Sequence, residues 1–293
     1  MAVLHAAGAS YRIDGILFDK DGTLLDFIYT WGNWSEHLLA RFSASLTERK
    51  LPPIRVDLDA LWGVLRSEEG DVVDYDRNGP LAMGTVGEML AILAWHGYRS
   101  GLSWAEAKTL AAEAKLAADA RLEATRAARL LPGVLDFLEA CREAGVPLAV
   151  VTADETDAAI KHLAWLGIQA RFDAIVGTDQ VERGKPYPDM ALLACKRLGL
   201  QGGRFAVIGD TQGDMRMAKE AGAAAAILIA EPAAIAAPAV IADPAAIAEP
   251  ADPAACNVPA DPAAPGESSD WDGADAVVFT LHELRITKED SPA

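Results

Sequence analysis

Apolar residues along this chain follow two rhythms that alternate. Short, nearly continuous apolar runs recur at "IDGILFD" (13–19), "VPLAVVTA" (146–153), "FDAIVG" (172–177), "RFAVIGD" (204–210), "AAAILIA" (224–230) and "ADAVVFT" (274–280). Such runs, rich in Val, Ile and Ala and closed by Gly, Asp or Thr, read as strands buried on both faces. Between them the apolar positions take helical spacing, in "VLDFLEACREAG" (134–145), "ETDAAIKHLAWLG" (155–167), "PDMALLACKRLG" (188–199) and "DMRMAKEAG" (214–222). Each ends in Gly, a stop signal, and the third opens on Pro, which suits a first helical turn. Strand and helix in alternation predict an α/β fold, a Rossmann-like parallel sheet with helices on both faces.

Residues 27–130 break the alternation and read as helices throughout, over 34–50, 57–70, 85–97 and 103–130. Thr85 with Glu88, and Ser103 with Glu106, have the spacing of capping boxes. An all-helical block placed after the first core strand predicts a separate cap domain. The core is then 1–26 with 131–230 and 271–293. Residues 231–270 differ again: blocks such as EPAAIA, DPAAIA and EPADPA keep a six-residue register, mostly with Pro second. Frequent Pro excludes helix interior and central strand, so this low-complexity insertion is expected to be disordered or polyproline-II-like. A hexapeptide β-helix is a poor fit, because regular β-branched positions are missing.

Charge and composition narrow the function. The chain has 293 residues, 51% of them hydrophobic, and a net charge of −17. Seven of its acids lie in 231–270, which holds no Lys or Arg. No basic block exists, which argues against nucleic acid or an anionic membrane as partner. No apolar run approaches the ~20 residues of a spanning helix. "MAVLHAAGAS" lacks the charged start and long apolar stretch of a signal peptide. Cys141, Cys195 and Cys256 stand far apart and form no metal-binding pair, so a reducing, cytoplasmic setting is expected.

The chemistry lies in what the strands run into. In open parallel sheets, ligands bind beyond the carboxyl ends of the strands. The first strand meets Asp19 and Asp21, the second Thr152, and the third a loop with Lys185. The fourth meets Asp210, then Asp214. Acids gathered on one edge repel one another unless a cation sits among them. A hard divalent ion, Mg²⁺ above all, takes such oxygen ligands. An Asp can attack phosphorus and form an aspartyl-phosphate, and a second carboxylate can give and then take the proton. Like-charged neighbours raise a carboxyl pKa, which helps one of the pair hold that proton.

"FDKDGTLLD", "VVTAD", "GTDQVERGKPYPD" and "VIGDTQGDMRMAKEAG", in this order, resemble the motifs of the haloacid-dehalogenase superfamily, in its helical-cap, phosphoglycolate phosphatase-like branch. The resemblance implies a Mg²⁺-dependent phosphatase of a small phosphorylated metabolite, phosphoglycolate-like or a sugar phosphate. It implies Asp19 as nucleophile and metal ligand, and Asp21 as general acid/base with its carbonyl on the metal. Thr152, Ala153 and Lys185 would bind phosphate, and Asp210 and Asp214 would hold the metal. Two features depart from the pattern: Phe27 follows the first motif where Ser or Thr is frequent, and 231–270 splits off the last strand. A phosphomutase of the β-phosphoglucomutase type would use the same core. A rival of another class is a partner-binding protein working through the acidic Ala/Pro segment. Trp31 and Trp34 are expected as cap core or substrate wall, and Arg77 as a possible cap-borne anion contact. The five histidines fit no ligand spacing and are expected to be structural or superficial.

Overall fold

A computed structural model describes residues 2–54, 61–70, 72–77, 79–200, 204–230 and 273–288. The centre is a six-stranded, all-parallel sheet of β3 (Gly15–Phe18), β6 (Leu148–Thr152), β7 (Ala174–Gly177), β8 (Phe205–Gly209), β9 (Ala225–Ile229) and β10 (Ala276–Val278). Its order is β10-β9-β8-β3-β6-β7, with β3 and β8 in the middle. Side chains alternate between faces, as the strand period requires. Ile16, Phe18, Leu148 and Val150 join one core beneath α5 (Val134–Ala144) and α6 (Thr156–Trp165). Leu17, Ala149, Val151 and Val207 join a second beneath α7 (Asp189–Leu198) and α8 (Gln212–Glu220). All six expected core strands and all four core helices are present.

One layer escapes the sequence pattern. β1 (Ala2–Ala6), β2 (Ala9–Ile13) and β11 (Arg285–Lys288) form an antiparallel sheet in the order β11-β1-β2. Ala2, Leu4 and Ala6 point into the first core. Alanine-rich β1 and polar β11 carry too little apolar signal to be read as strands alone.

The cap contains a π-helical turn (Ile28–Gly32), α1 (Asn33–Glu48), a short α2 (Pro80–Met83), α3 (Val86–Arg99) and α4 (Trp104–Thr125). Both predicted capping boxes are formed, at Thr85 with Glu88 and at Ser103 with Glu106. The cap has its own core, with Leu38, Phe42, Trp62, Leu93 and Leu110 at its centre. It is not helical throughout, however. Where a helix over 57–70 was expected, β4 (Val64–Arg66) pairs with β5 (Val72–Tyr75) in a hairpin. Gly63 and Gly70 take φ of +72° and +92°, which no helix contains, and Val72 and Val73 favour a strand. The expectation for 231–270 lies outside the described residues.

The small N-terminal sheet is expected to be integral to the core. Leu4→Ala should cost about 2–5 kcal/mol, the range for a buried Leu truncated in a packed interior. Urea denaturation of the two proteins measures it.

Candidate active site

The site follows from the register of the central strands. Phe18 pairs with Val150 of β6 and with Ile208 of β8, so the three strand ends lie level. The next residues outward are Asp19, Val151–Thr152 and Gly209–Asp210. The Asp19 N–H extends the ladder by donating to the Ile208 carbonyl at 2.8 Å. Lys185 arrives from the loop between β7 and α7. Asp19, Asp21, Thr152, Ala153, Lys185, Asp210 and Asp214 all line one cleft, so these seven residues from the sequence motifs are brought together.

Lys185 Nζ bridges two acids, donating to Asp19 Oδ1 and lying 2.6 Å from Asp214 Oδ1. Asp214 acts twice. Its Oδ2 accepts from the Thr211 N–H at 3.2 Å and hydroxyl at 2.5 Å, closing a capping box at the start of α8. Its Oδ1 faces the cleft, buried with no hydrogen bond beyond the Lys185 ion pair. Asp210 Oδ2 accepts from the Tyr75 hydroxyl at 2.9 Å, a contact brought by the cap hairpin. Thr152 Oγ1 accepts from the Asp154 N–H at 3.1 Å, so its own proton can be donated into the cleft.

Two glycines make this crowding feasible. Gly22, in the turn after Asp21, has φ +83°, and a Cβ there would stand 2.2 Å from Asp210 Oδ2. A Cβ on Gly209 would stand 2.4 Å from Asp214 Cγ. Both positions therefore need Gly for close approach.

Carboxyl groups of Asp19, Asp210 and Asp214 offer oxygens all within 4.8 Å of one another. Burial pushes the Asp19 carboxyl up to about 7, the Asp214 and Asp21 charges adding to it and Lys185 opposing it. Asp210 is raised well above the carboxylate range by burial and by Asp19 and Asp214. Burial would lower Lys185, but the two carboxylates beside it more than reverse this, and it stays charged. An all-oxygen, charge-dense set with one inward carboxylate oxygen lacking a hydrogen bond fits a hard divalent cation.

A second group was not anticipated. Lys20, between the two motif acids, is fully buried. Its Nζ lies 2.6 Å from Asp21 Oδ2, 3.0 Å from Asp154 Oδ2 and 3.1 Å from His162 Nδ1. Asp21 Oδ1 is left buried without a hydrogen-bond partner. His162, expected to be structural or superficial, is buried against Lys20, and burial together with that charge lowers it to about 3. The available signal was a lysine at the end of an apolar strand, flanked by acids. Arg77 is held by Asp74 and the Tyr75 carbonyl, stacks on the Tyr75 ring at 4.0 Å, and does not line the cleft.

Comparison with known proteins places the chain in a family. A family profile described as haloacid dehalogenase-like hydrolase matches residues 13–222. The chain belongs to the haloacid dehalogenase-like hydrolases. Among relatives of this family, a probable phosphatase, IndB, from Dickeya dadantii is 41% identical over 96 residues, 33% of this chain and 42% of that protein. A phosphoglycolate phosphatase from Escherichia coli is 37% identical over 93 residues, 32% of this chain and 37% of that protein. The match thus spans about two fifths of these relatives' lengths. A haloacid dehalogenase-like fold is shared with a Haemophilus somnus structure described as a predicted phosphoglycolate phosphatase. That pair has a TM-score of 0.53 and 24% identity, covering 74% of this chain and 85% of that one. It is shared too with a β-phosphoglucomutase from Clostridium difficile, at TM-score 0.55 and 16% identity over 92% of each chain.

The raised Asp19 pKa has a stability consequence. A carboxyl held above its usual 3.8 keeps its proton more tightly when folded, so its contribution is lost as pH rises through about 7. Asn cannot ionise. In EDTA at pH 8, Asp19→Asn should therefore be more stable than the parent by up to about 4 kcal/mol, from ~1.4 kcal/mol per pKa unit. The advantage should shrink at pH 5. Denaturant unfolding at both pH values checks it.

Proposed function

We propose that this haloacid dehalogenase-like hydrolase is a Mg²⁺-dependent phosphatase of a small phosphorylated metabolite, working in the cytoplasm through an aspartyl-phosphate on Asp19. The observation that carries the reading is the convergence of Asp19, Asp21, Lys185, Asp210 and Asp214 on one cleft under a cap. Relatives named as phosphatases support it. Two described cysteines, Cys141 and Cys195, are buried free thiols, in keeping with a reducing compartment. No helix among the described residues is long and apolar enough to cross a membrane.

In this reading Thr152 and Lys185 donate to the phosphoryl oxygens, and Ala153 lines the same end of the cleft. A carboxylate oxygen of Asp19 attacks phosphorus, and the bond from phosphorus to the leaving oxygen breaks. Lys20 holds Asp21 Oδ2, so Oδ1 is the atom left to carry the proton to the leaving oxygen. In the second half Asp21 takes a proton from water, which attacks phosphorus and releases Asp19 and inorganic phosphate. Asp19, Asp210, Asp214 and the Asp21 carbonyl would hold Mg²⁺, which when bound supplies positive charge opposite the phosphoryl oxygens. Phe27, Trp31, Leu81, Met83, Val86 and Met89 close the cleft from the cap side. This wall is apolar, so it excludes water but offers no cation to a charged leaving group such as glycolate.

Phosphate release from a metabolite panel, with and without Mg²⁺, tests the reading. Asp19→Asn should abolish turnover, and Asp21→Asn should lower it about 10²–10⁴-fold, the usual worth of a positioned acid/base. EDTA should silence the enzyme and Ca²⁺ should inhibit, since its looser coordination spoils in-line geometry. Full activity in excess EDTA, or turnover by Asp19→Asn, overturns the reading. Slow phosphate release with a requirement for a bisphosphate would mark a mutase instead.

A further inference from the structure

The catalytic cleft has a volume of about 50 Å³, room for a phosphoryl group and little more. Beside it lies a larger cavity of about 210 Å³ between the cap and helix α6. The two share Trp31, Val86 and Asp154 and therefore adjoin.

The lining of the second cavity is selective. Trp31, Trp34, Trp165 and the His162 ring give it aromatic walls. Its two lysines are already engaged: Lys115 pairs with Asp119 at 2.7 Å, and Lys161 reaches across from α6 to Glu123 of the cap at 3.5 Å. Five carboxylates line the cavity against these two lysines, so a carboxylate or second phosphate would find no unpaired cation and a repulsive field.

His162 supplies the directional contact. An ammonium carries three protons and accepts none. Those of Lys20 face Asp21, Asp154 and His162 Nδ1, so Nδ1 must accept. The imidazole is neutral, and its proton therefore sits on Nε2, at the opposite edge of the ring. His162 is 3% exposed and lines the cavity, and among the described residues no hydrogen bond is made to its Nε2. His162 Nε2 is not one of the fully buried unpartnered atoms, so the donor is open to an acceptor on a ligand in the cavity.

We infer that the second cavity receives the distal part of the leaving group, an uncharged planar heteroaromatic ring that stacks on the tryptophans and accepts a hydrogen bond from His162 Nε2. A nucleobase has this chemistry. The acids at the rim, Glu155 and Asp157, then face the polar linker, where hydroxyl groups can donate to them. This inference rests on the phosphatase reading for its catalytic consequence, but ligand binding by the cavity does not need turnover.

The test compares nucleoside 5′-monophosphates and pyridoxine 5′-phosphate with ribose 5-phosphate, which lacks the ring, and with a generic aryl phosphate, on the full-length Mg²⁺-loaded protein. At least one heteroaromatic ester should exceed ribose 5-phosphate tenfold or more in kcat/KM. Trp165→Ala should remove that advantage through KM, raising KM for the heteroaromatic ester about tenfold more than for ribose 5-phosphate. His162→Phe should weaken binding of the ring, and His162→Gln, which restores an N–H donor, should recover part of it. Equal rates across the panel, or a preference that survives Trp165→Ala, overturn the inference. If every phosphate ester is inert, the phosphatase reading fails. Quenching of tryptophan fluorescence by the free nucleosides, present in the parent and lost in Trp165→Ala, then still upholds the cavity's ligand, and its absence removes that too.

Discussion

Repulsion between buried carboxylates governs this molecule. The central strands end level, and they deliver Asp19, Asp210 and Asp214 into a space where their oxygens lie within 4.8 Å. Isolated charges in such a place cost several kcal/mol each. Two buried lysines answer them from opposite sides of the first motif, Lys185 for Asp19 and Asp214, and Lys20 for Asp21 and Asp154. The raised pKa of Asp19 shows that the compensation is incomplete in the protein alone. That residual strain is what an added cation would relieve.

Lys20 and Lys185 are not redundant. Lys185 comes from a loop and points at the face where phosphate is proposed to bind. Lys20 sits beneath the strand end and is shielded from the cleft, with an acid and an imidazole as further partners. It fixes one oxygen of Asp21 and, through the proton count of its ammonium, the tautomer of His162. A single substitution in the first motif therefore reaches the interior of α6 and the cavity it borders.

The cap meets this charge-dense edge in two ways. Its apolar wall over the cleft raises the strength of every charge interaction beneath it by excluding water. Its hairpin inserts Tyr75, whose hydroxyl donates to Asp210 while its ring stacks on Phe27 at 4.0 Å. Phe27 is the residue that departs from the family pattern, and here it forms the apolar side of that contact. Among the described residues the cap reaches the acidic cluster through the Tyr75 hydrogen bond, beside apolar packing.

The sequence by itself determined the core layout and the principal site. Strand runs and helical spacing are local signals, and parallel β/α order obliges the strand ends to share one edge, so Asp19, Thr152, Lys185 and Asp210 were legible together. Capping boxes at Thr85, Ser103 and their glutamates were legible for the same reason, since each is closed within one turn. The tertiary structure decided the rest. The β11-β1-β2 sheet joins the two ends of the chain, and neither strand of a long-range pair signals its partner. The hairpin in the cap replaced a helix because two positive-φ glycines and β-branched residues outweighed a weak helical pattern. Lys20, Asp154, His162 and Tyr75 came into the site by packing between elements far apart in sequence. Burial turned each from an ordinary polar residue into one whose partners are fixed, because an unpaired polar group in the interior is too costly to leave unmatched.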